Sequence, residues 1–194
     1  MRRILTIIYL LAAILVVSCS PDGDATVGPE HNIMTEPEAT TTYEGLWRVG
    51  NYEAGKGRIK VYPSAIDLGN VPCAAVLRMV LTHNNVECAD TARCLAMTEN
   101  IGYTDQAEFL RLDVNRWETA ATIDGTALKA RMAFPQVLSS TVSDMPYAVY
   151  SRLSRSFTLM FPLVRVDLFD ASGNVVQTQP SDLLVTFTTT SIVK

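Results

Sequence analysis

The sequence predicts a mostly β fold, an antiparallel β-sandwich that carries one helix. Three observations predict this class: apolar and polar residues alternate in many short stretches, turn residues separate those stretches, and one segment has apolar residues at helical spacing. Alternation is typical of a strand with one buried face, and short strands joined by tight turns pair in antiparallel fashion. We expect eight or nine short strands within residues 43–194, a length that suits one domain with one core.

The strands are predicted from the period of two in the apolar residues. Ile59 and Val61, for example, alternate with charged and hydroxyl-bearing side chains. Asp124 and Gly125 predict a two-residue hairpin turn, because both residue types accept the positive φ that such a turn needs. Asp170–Asn174 is a second stretch rich in turn residues. The predicted strands are 57–62, 66–68, 110–114, 117–123, 128–134, 157–161, 164–168, 175–178 and 183–188.

The helix is predicted at about residues 71–83. Asn70 is a candidate cap, Pro72 suits the first turn, and Asn84 with Asn85 marks the end. The apolar residues share one side at helical spacing, so we expect this helix to pack against a sheet. The residues on that side are Ala74, Val76, Leu77, Val80 and Leu81.

The amino terminus has the layout of a secretory signal: two arginines, an apolar run over 4–17, and Ser18 before Cys19. The run holds 14 residues, which gives about 21 Å of helix at roughly 1.5 Å per residue. The hydrocarbon core of a bilayer is thicker, at ~30 Å. We therefore expect residues 1–18 to be a signal peptide rather than a permanent anchor.

The residues at 16–19, Val-Val-Ser-Cys, resemble the lipobox of bacterial lipoproteins. This resemblance implies that Cys19 becomes the amino terminus and carries acyl chains. The chain would then be a bacterial envelope lipoprotein, fixed through this lipid to the outer membrane at its periplasmic or cell-surface face. An ordinary cleaved signal or a short membrane helix is the alternative. A strand, the run 66–72 and an apolar helix, in that order, are similar to small uncharacterised surface lipoproteins of Bacteroidota, a group that implies no particular activity.

Residues 19–42 are expected to form a flexible acidic tether that begins with the lipidated Cys19. This stretch holds five acidic residues, three prolines and no lysine or arginine. It cannot bury enough apolar surface to offset the entropy lost on ordering. Acidic residues close behind Cys19 resemble the surface-export signal of Bacteroidota lipoproteins, and a solvated spacer with no sorting role is the alternative.

The charge of the folded part excludes one class of partner. The formal net charge of −4 becomes −6 when the two arginines of the signal are removed, and the tether holds five of the negative charges. The domain from Tyr43 onward is then near neutral, at −1. Such a domain has no basic field to attract nucleic acid, so we expect no nucleic-acid partner.

The cysteines of the domain allow one short disulfide. Export to an oxidising compartment favours disulfides, and Cys88 and Cys94 enclose a loop of five residues, which makes them the candidate pair. Cys73 would then be a buried free thiol. A zinc site built from these three cysteines and His83 is the alternative, but their spacing matches none of the paired-cysteine zinc patterns, so we expect no metal.

The sequence does not predict catalysis or a bound cofactor. It contains no nucleophile elbow, metalloprotease motif, phosphate-binding glycine loop or dinucleotide fingerprint. The two histidines are His31 in the tether and His83 at the end of the predicted helix. An undetected hydrolase that acts on glycans or envelope polymers is an alternative, since paired carboxylates meet in space rather than in sequence.

The expected role is that of a noncatalytic binding or structural module. Exposed tyrosines can stack on sugar rings or anchor a protein partner, although isolated exposed tyrosines are also normal. The candidate ligand contacts are Tyr62, Tyr147 and Tyr150. A glycan or an envelope protein is the corresponding candidate partner.

An alternative fold and function follow from a motif near the domain start. Gly45, Leu46 and Trp47 resemble the Gly-x-Trp motif of lipocalins. That resemblance implies an eight-stranded β-barrel with an apolar ligand cavity, and a role as carrier of a small apolar ligand. A helix inside the first third of the domain does not suit that family.

Overall fold

A computed structural model describes residues 41–87, 92–106, 109–135, 145–151 and 156–193. Within these ranges the chain forms thirteen strands and one helix, so the expectation of a mostly β fold with one helix is confirmed. The predicted signal peptide, Cys19 and nearly all of the predicted tether lie outside the described residues, and so does Cys88.

The helices and strands are numbered here in chain order. The helix α1 spans Cys73–His83. The strands are β1 (Thr41–Val49), β2 (Tyr52–Val61), β3 (Ala65–Val71), β4 (Arg93–Cys94), β5 (Met97–Gln106), β6 (Phe109–Asp113), β7 (Arg116–Ile123), β8 (Thr126–Ala133), β9 (Tyr147–Ser151), β10 (Ser156–Pro162), β11 (Arg165–Phe169), β12 (Val175–Pro180) and β13 (Leu184–Val193).

Eight of these strands form a closed antiparallel barrel in the order β1-β13-β10-β9-β6-β5-β3-β2, with β2 pairing back to β1. The expected sandwich is therefore wrong, and the alternative of an eight-stranded barrel is confirmed at the level of strand arrangement. The physical reason is that alternation identifies the buried face of a strand but not its neighbour. The barrel closes where β1 pairs with β13. Thr42 there pairs with Val193, so the closing contact joins the beginning and the end of the domain sequence.

The remaining strands form a second sheet in the order β12-β11-β8-β7-β4. The chain leaves the barrel to make them and returns: β11 and β12, for instance, lie between Pro162 and Leu184, which are paired in the barrel. Thr41 and Val193 mark one end of the barrel, which we call the terminal end. Val49 marks the other, and we call it the capped end because the second sheet packs there.

An aromatic cluster joins the second sheet to the capped end. The Trp117 ring of β7 lies 4.7 Å from Phe161 of β10 and 6.5 Å from Trp47 of β1, centroid to centroid. Phe134 and Phe187 complete the cluster, at 4.6 Å from Trp117 and 5.0 Å from Trp47. All five side chains are buried. Edge-to-face and tilted pairs of this kind add to the burial of apolar area, so the two sheets share one core.

Side chains from the barrel strands fill the interior between this cluster and the terminal end. Phe157 packs against Tyr43 at 5.3 Å and against Tyr150 at 5.2 Å. The other buried residues on the inner faces of the strands include Ile59, Val61, Ile66, Leu68, Ile101, Leu110, Leu112, Ala148 and Leu159. The described interior is therefore a packed core, as in barrels of this strand number that hold no ligand.

Two local predictions are confirmed in detail. Asp124 and Gly125 have φ of 49° and 75°, as expected for a two-residue hairpin turn between β7 and β8. The helix lies at the predicted position. Asn70 is not its cap, however: this residue ends up inside β3 with a φ of 56°, where the β3–β5 register shifts, and Pro72 precedes the helix without a side-chain cap.

Candidate functional site

A groove runs along the outer surface of α1 at the capped end. It lies between the helix and the first half of β2, outside the barrel wall, and has a volume of about 820 Å³. This volume falls within the range of small-molecule sites in proteins. The lining residues are Tyr52, Ala54, Gly55, Lys56, Asn70, Val71, Pro72, Cys73, Ala74, Ala75, Arg78, Met79, Thr82, His83, Cys94, Ala96 and Leu183.

The wall on the β2 side exists because the first half of β2 extends past its neighbour β3, which pairs with β2 only from Arg58 to Val61. The backbone N–H of Gly50 in the turn donates to the carbonyl of Leu184 at 2.8 Å, and Gly50 has a φ of 55°. A Cβ placed on Gly50 would lie 3.9 Å from the methyl carbon of Met79. The hairpin turn thus lies against the helix, and a register shift in β1–β2 between Trp47 and Arg48 changes the direction of this extension.

The helix forms the opposite wall through its outer side. Its inner side, which includes Val76, Leu77, Val80 and Leu81, is buried in the core. Helical spacing places Ala75, Arg78, Met79, Thr82 and His83 on the other side, and these residues line the groove. The helix therefore contributes one face to the core and one to the candidate site.

The floor of the groove is uncharged. Cys73 is buried and Cys94 is half-buried, and the two are not bonded to each other. Burial raises the pKa of Cys73 to about 12 and that of Cys94 to about 12. Thiols with such pKa values stay protonated at neutral pH and behave as small apolar side chains. The floor of the groove therefore suits contact with the apolar part of a ligand, and its two cysteines are not expected to act as nucleophiles.

The rim of the groove carries positive charge. Lys56 on β2 and Arg78 on α1 line opposite walls, and neither forms an ion pair within the described residues. His83 lies at the end of the helix, with its Nε2 atom 4.0 Å from an Asp182 oxygen. No aspartate or glutamate is among the described residues that line the groove. The site is apolar inside and cationic at its edge.

The three tyrosines predicted as ligand contacts do not come together. Tyr62 donates a hydrogen bond from its hydroxyl to Asp67 at 2.9 Å, and Tyr147 packs edge-on against Phe109 at 6.2 Å. They lie next to β2 and on β9, which occupy opposite sides of the eight-stranded barrel. Tyr150 is 1% exposed and belongs to the core, so it cannot contact a ligand at the surface.

The tyrosine at the groove is Tyr52, which is 58% exposed. Sequence reasoning did not single it out, because it follows a turn and takes no part in an alternating run. The Gly50-Asn51 turn just before it is the signal that could have indicated a protruding hairpin. The exposure of an aromatic ring beside an apolar groove is typical of a binding surface.

The predicted disulfide stays a prediction. Cys94 is not bonded to the other described cysteine, Cys73, and Cys88 lies outside the described residues. Among the residues that the structure describes, no three histidine, cysteine, aspartate or glutamate side chains form a group that could hold a metal ion.

The carboxylates with perturbed pKa values lie elsewhere. Glu118, on the outer face of the second sheet, contacts Lys129, and its oxygens lie 2.7 Å from Arg131 and 3.3 Å from Arg116. Hydrogen bonds from Lys129 and Arg131 lower its pKa. Burial raises the pKa of Glu99, and the charge of Glu118 raises it further. Neither carboxylate lines the groove, and nor does Asp170, whose pKa is lowered by hydrogen bonds from Asn174. The carboxylate beside His83 is Asp182.

Within the described ranges, no helix is both long and apolar enough to cross a bilayer. Comparisons with known proteins add no further assignment. No protein-family model, no curated protein sequence and no solved structure matches this chain.

Proposed function

We propose that this chain is a lipid-anchored, noncatalytic binding protein of the bacterial outer membrane, and that its domain holds the apolar part of a ligand in the groove beside α1. The groove is the observation that carries the proposal. Its floor and walls are built mainly from alanine, valine, proline, methionine, leucine and protonated cysteine side chains. Apolar surface placed there would gain about 25 cal/mol per Å² removed from water.

The arrangement of the domain suits a molecule that is tethered at one end. The tether would enter at Thr41, at the terminal end, while the groove lies at the capped end. β1 connects these ends with nine residues, or about 30 Å at roughly 3.3 Å per residue. An anchor on Cys19 would therefore leave the groove accessible on the far side of the barrel.

A lipocalin-like carrier is the second candidate function. Two observations favour it: the barrel has eight strands, and Trp47 of the Gly-x-Trp motif lies buried near one end of the first strand. The interior packing around Phe157 leaves the groove, rather than the barrel lumen, as the place for a carried ligand. Both candidates thus depend on the same groove.

The anchor is tested by growing bacteria that express the full chain with an alkyne-bearing palmitate. We expect label on the wild-type protein and none on Cys19→Ala. Recovery of the wild-type protein in the soluble fraction with an unmodified thiol would contradict the anchor.

The groove is tested in membranes that contain the full chain, with a photoreactive dodecanol that carries a diazirine and a clickable alkyne. We expect labelled peptides to map to residues 52–56 and 72–83. Ala75→Trp should fill the groove and remove most of that label. Ala127→Trp is the matched control, because Ala127 is exposed on β8 and does not line the groove. Equal labelling of the two variants would refute the site.

A further inference from the structure

The cations of the domain divide into two groups. Six have a carboxylate partner within the described residues: Arg58, Arg111, Arg116, Lys129, Arg131 and Arg165. Five have none within the described residues: Arg48, Lys56, Lys60, Arg78 and Arg93. Of these five, Lys56 and Arg78 line the groove, one from β2 and one from α1.

The position of these charges relative to the apolar surface narrows the chemistry of the ligand. Lys56 projects from β2, which also contributes Ala54. Arg78 lies one helical turn from Ala75 and Ala74, next to Met79. A ligand that covers the apolar walls therefore shares the groove with two positive side chains and with no aspartate or glutamate among the described lining residues.

We infer that the ligand is a single-chain amphiphile with an anionic head group, such as a carboxylate or phosphate. This inference rests on the proposed function and adds the class of ligand. The alkyl chain lies along the apolar walls and floor, and the head group accepts hydrogen bonds from Arg78 and Lys56. Charge complementarity carries the assignment, since guanidinium and ammonium groups both bind such anions.

Two other classes of ligand fit the groove less well. A neutral apolar molecule would use the floor but would gain nothing from the charges of Lys56 and Arg78. A small inorganic anion would use the cations but would leave the apolar surface between Ala54, Ala75 and Met79 in contact with water. The amphiphile satisfies both parts of the site.

The test compares two photoreactive probes of equal chain length, dodecanoate and dodecanol, each with a diazirine and an alkyne. Both are added to bacterial membranes that contain the full chain, and labelled peptides are mapped by mass spectrometry. We expect the acid to label peptides 52–56 and 72–83 more strongly than the alcohol. The double variant, which combines Lys56→Gln and Arg78→Gln, should lower labelling by the acid about three- to tenfold. Labelling by the alcohol should change less than about twofold.

The control variant is Arg58→Gln, which removes an exposed cation from the same strand as Lys56. Arg58 pairs with Glu44 at 2.8 Å and does not line the groove, so labelling should stay at the wild-type value. Groove labelling that is equal for acid and alcohol, or unchanged in the double variant, would overturn the anionic head group and leave the groove as a binding site. An absence of groove labelling with both probes would overturn the proposed function itself.

Discussion

The contact between Gly57 and Trp47 allows a quantitative test of how the capped end is built. Trp47 lies over Gly57 of β2, and its Nε1 atom donates to the carbonyl of Gly69 at 3.1 Å. A Cβ on Gly57 would come closer than 3.0 Å to the indole ring of Trp47, a separation that real side chains do not tolerate. Gly57→Ala must therefore displace the indole from the aromatic cluster.

The expected cost of Gly57→Ala has two parts. Overpacking of a core costs about 1–3 kcal/mol. Loss of the Trp47–Gly69 hydrogen bond leaves a donor and an acceptor without partners, which costs about 1–3 kcal/mol more. We expect a loss of about 3–4 kcal/mol in the free energy of unfolding. With a urea m-value of about 2 kcal/mol/M, the midpoint should fall by roughly 1.5–2 M.

Equilibrium urea unfolding, followed by tryptophan fluorescence, measures this change. Gly102→Ala is the control, because its Cβ would lie 3.4 Å from the nearest Asp113 oxygen and should change stability by less than about 0.5 kcal/mol. In a Trp47→Leu background the obstacle is gone, so Gly57→Ala should cost less than about 1 kcal/mol. An equal cost in both backgrounds, or a small one in the wild type, would refute the reasoning.

Three further predictions concern single groups. The lowered pKa of Glu118 means that its ion pairs stabilise the fold above its ordinary pKa of 4.5 and lose effect as the pH falls below it. Glu118→Gln should thus cost about 1–2 kcal/mol at pH 7 and progressively less in acid, by urea unfolding at several pH values. Cys73, with its pKa raised to about 12, should react with maleimide at pH 8 far more slowly in the folded protein than in urea, by mass spectrometry. Thr189→Val removes the hydroxyl that accepts the buried Phe157 N–H at 2.8 Å and should cost about 1–3 kcal/mol, read as a lower thermal midpoint.

Local features of the fold were predictable because local residues determine them. Alternation around Ile59 located β2, apolar spacing located α1, and Asp124-Gly125 located the β7–β8 turn. The strands β1, β4, β5 and β9 were not predicted. β5 shows why: it places Glu99 between the buried residues Met97 and Ile101, which breaks the apolar alternation.

Closure of the barrel and the groove could not be predicted, because both depend on pairs that are distant in sequence. Alternation cannot indicate that Thr42 pairs with Val193 rather than forming the edge of a sandwich. Lys56 and Arg78 likewise come from a strand and a helix that have no shared motif. Tyr150 was a candidate ligand contact because no strand was predicted around it, and only the pairing of β9 in the barrel shows that its side chain is buried.

The barrel closure also determines how the protein would bear mechanical load. If Cys19 is lipidated as proposed, a pull on that lipid would reach the described domain at Thr41, the first residue of β1. This strand is hydrogen-bonded on both sides, to β13 and to β2, so a force applied there shears two ladders together instead of opening one bond at a time. Unfolding of the domain from that end would then require the whole strand to slide, which makes the first strand the mechanical clamp of the barrel.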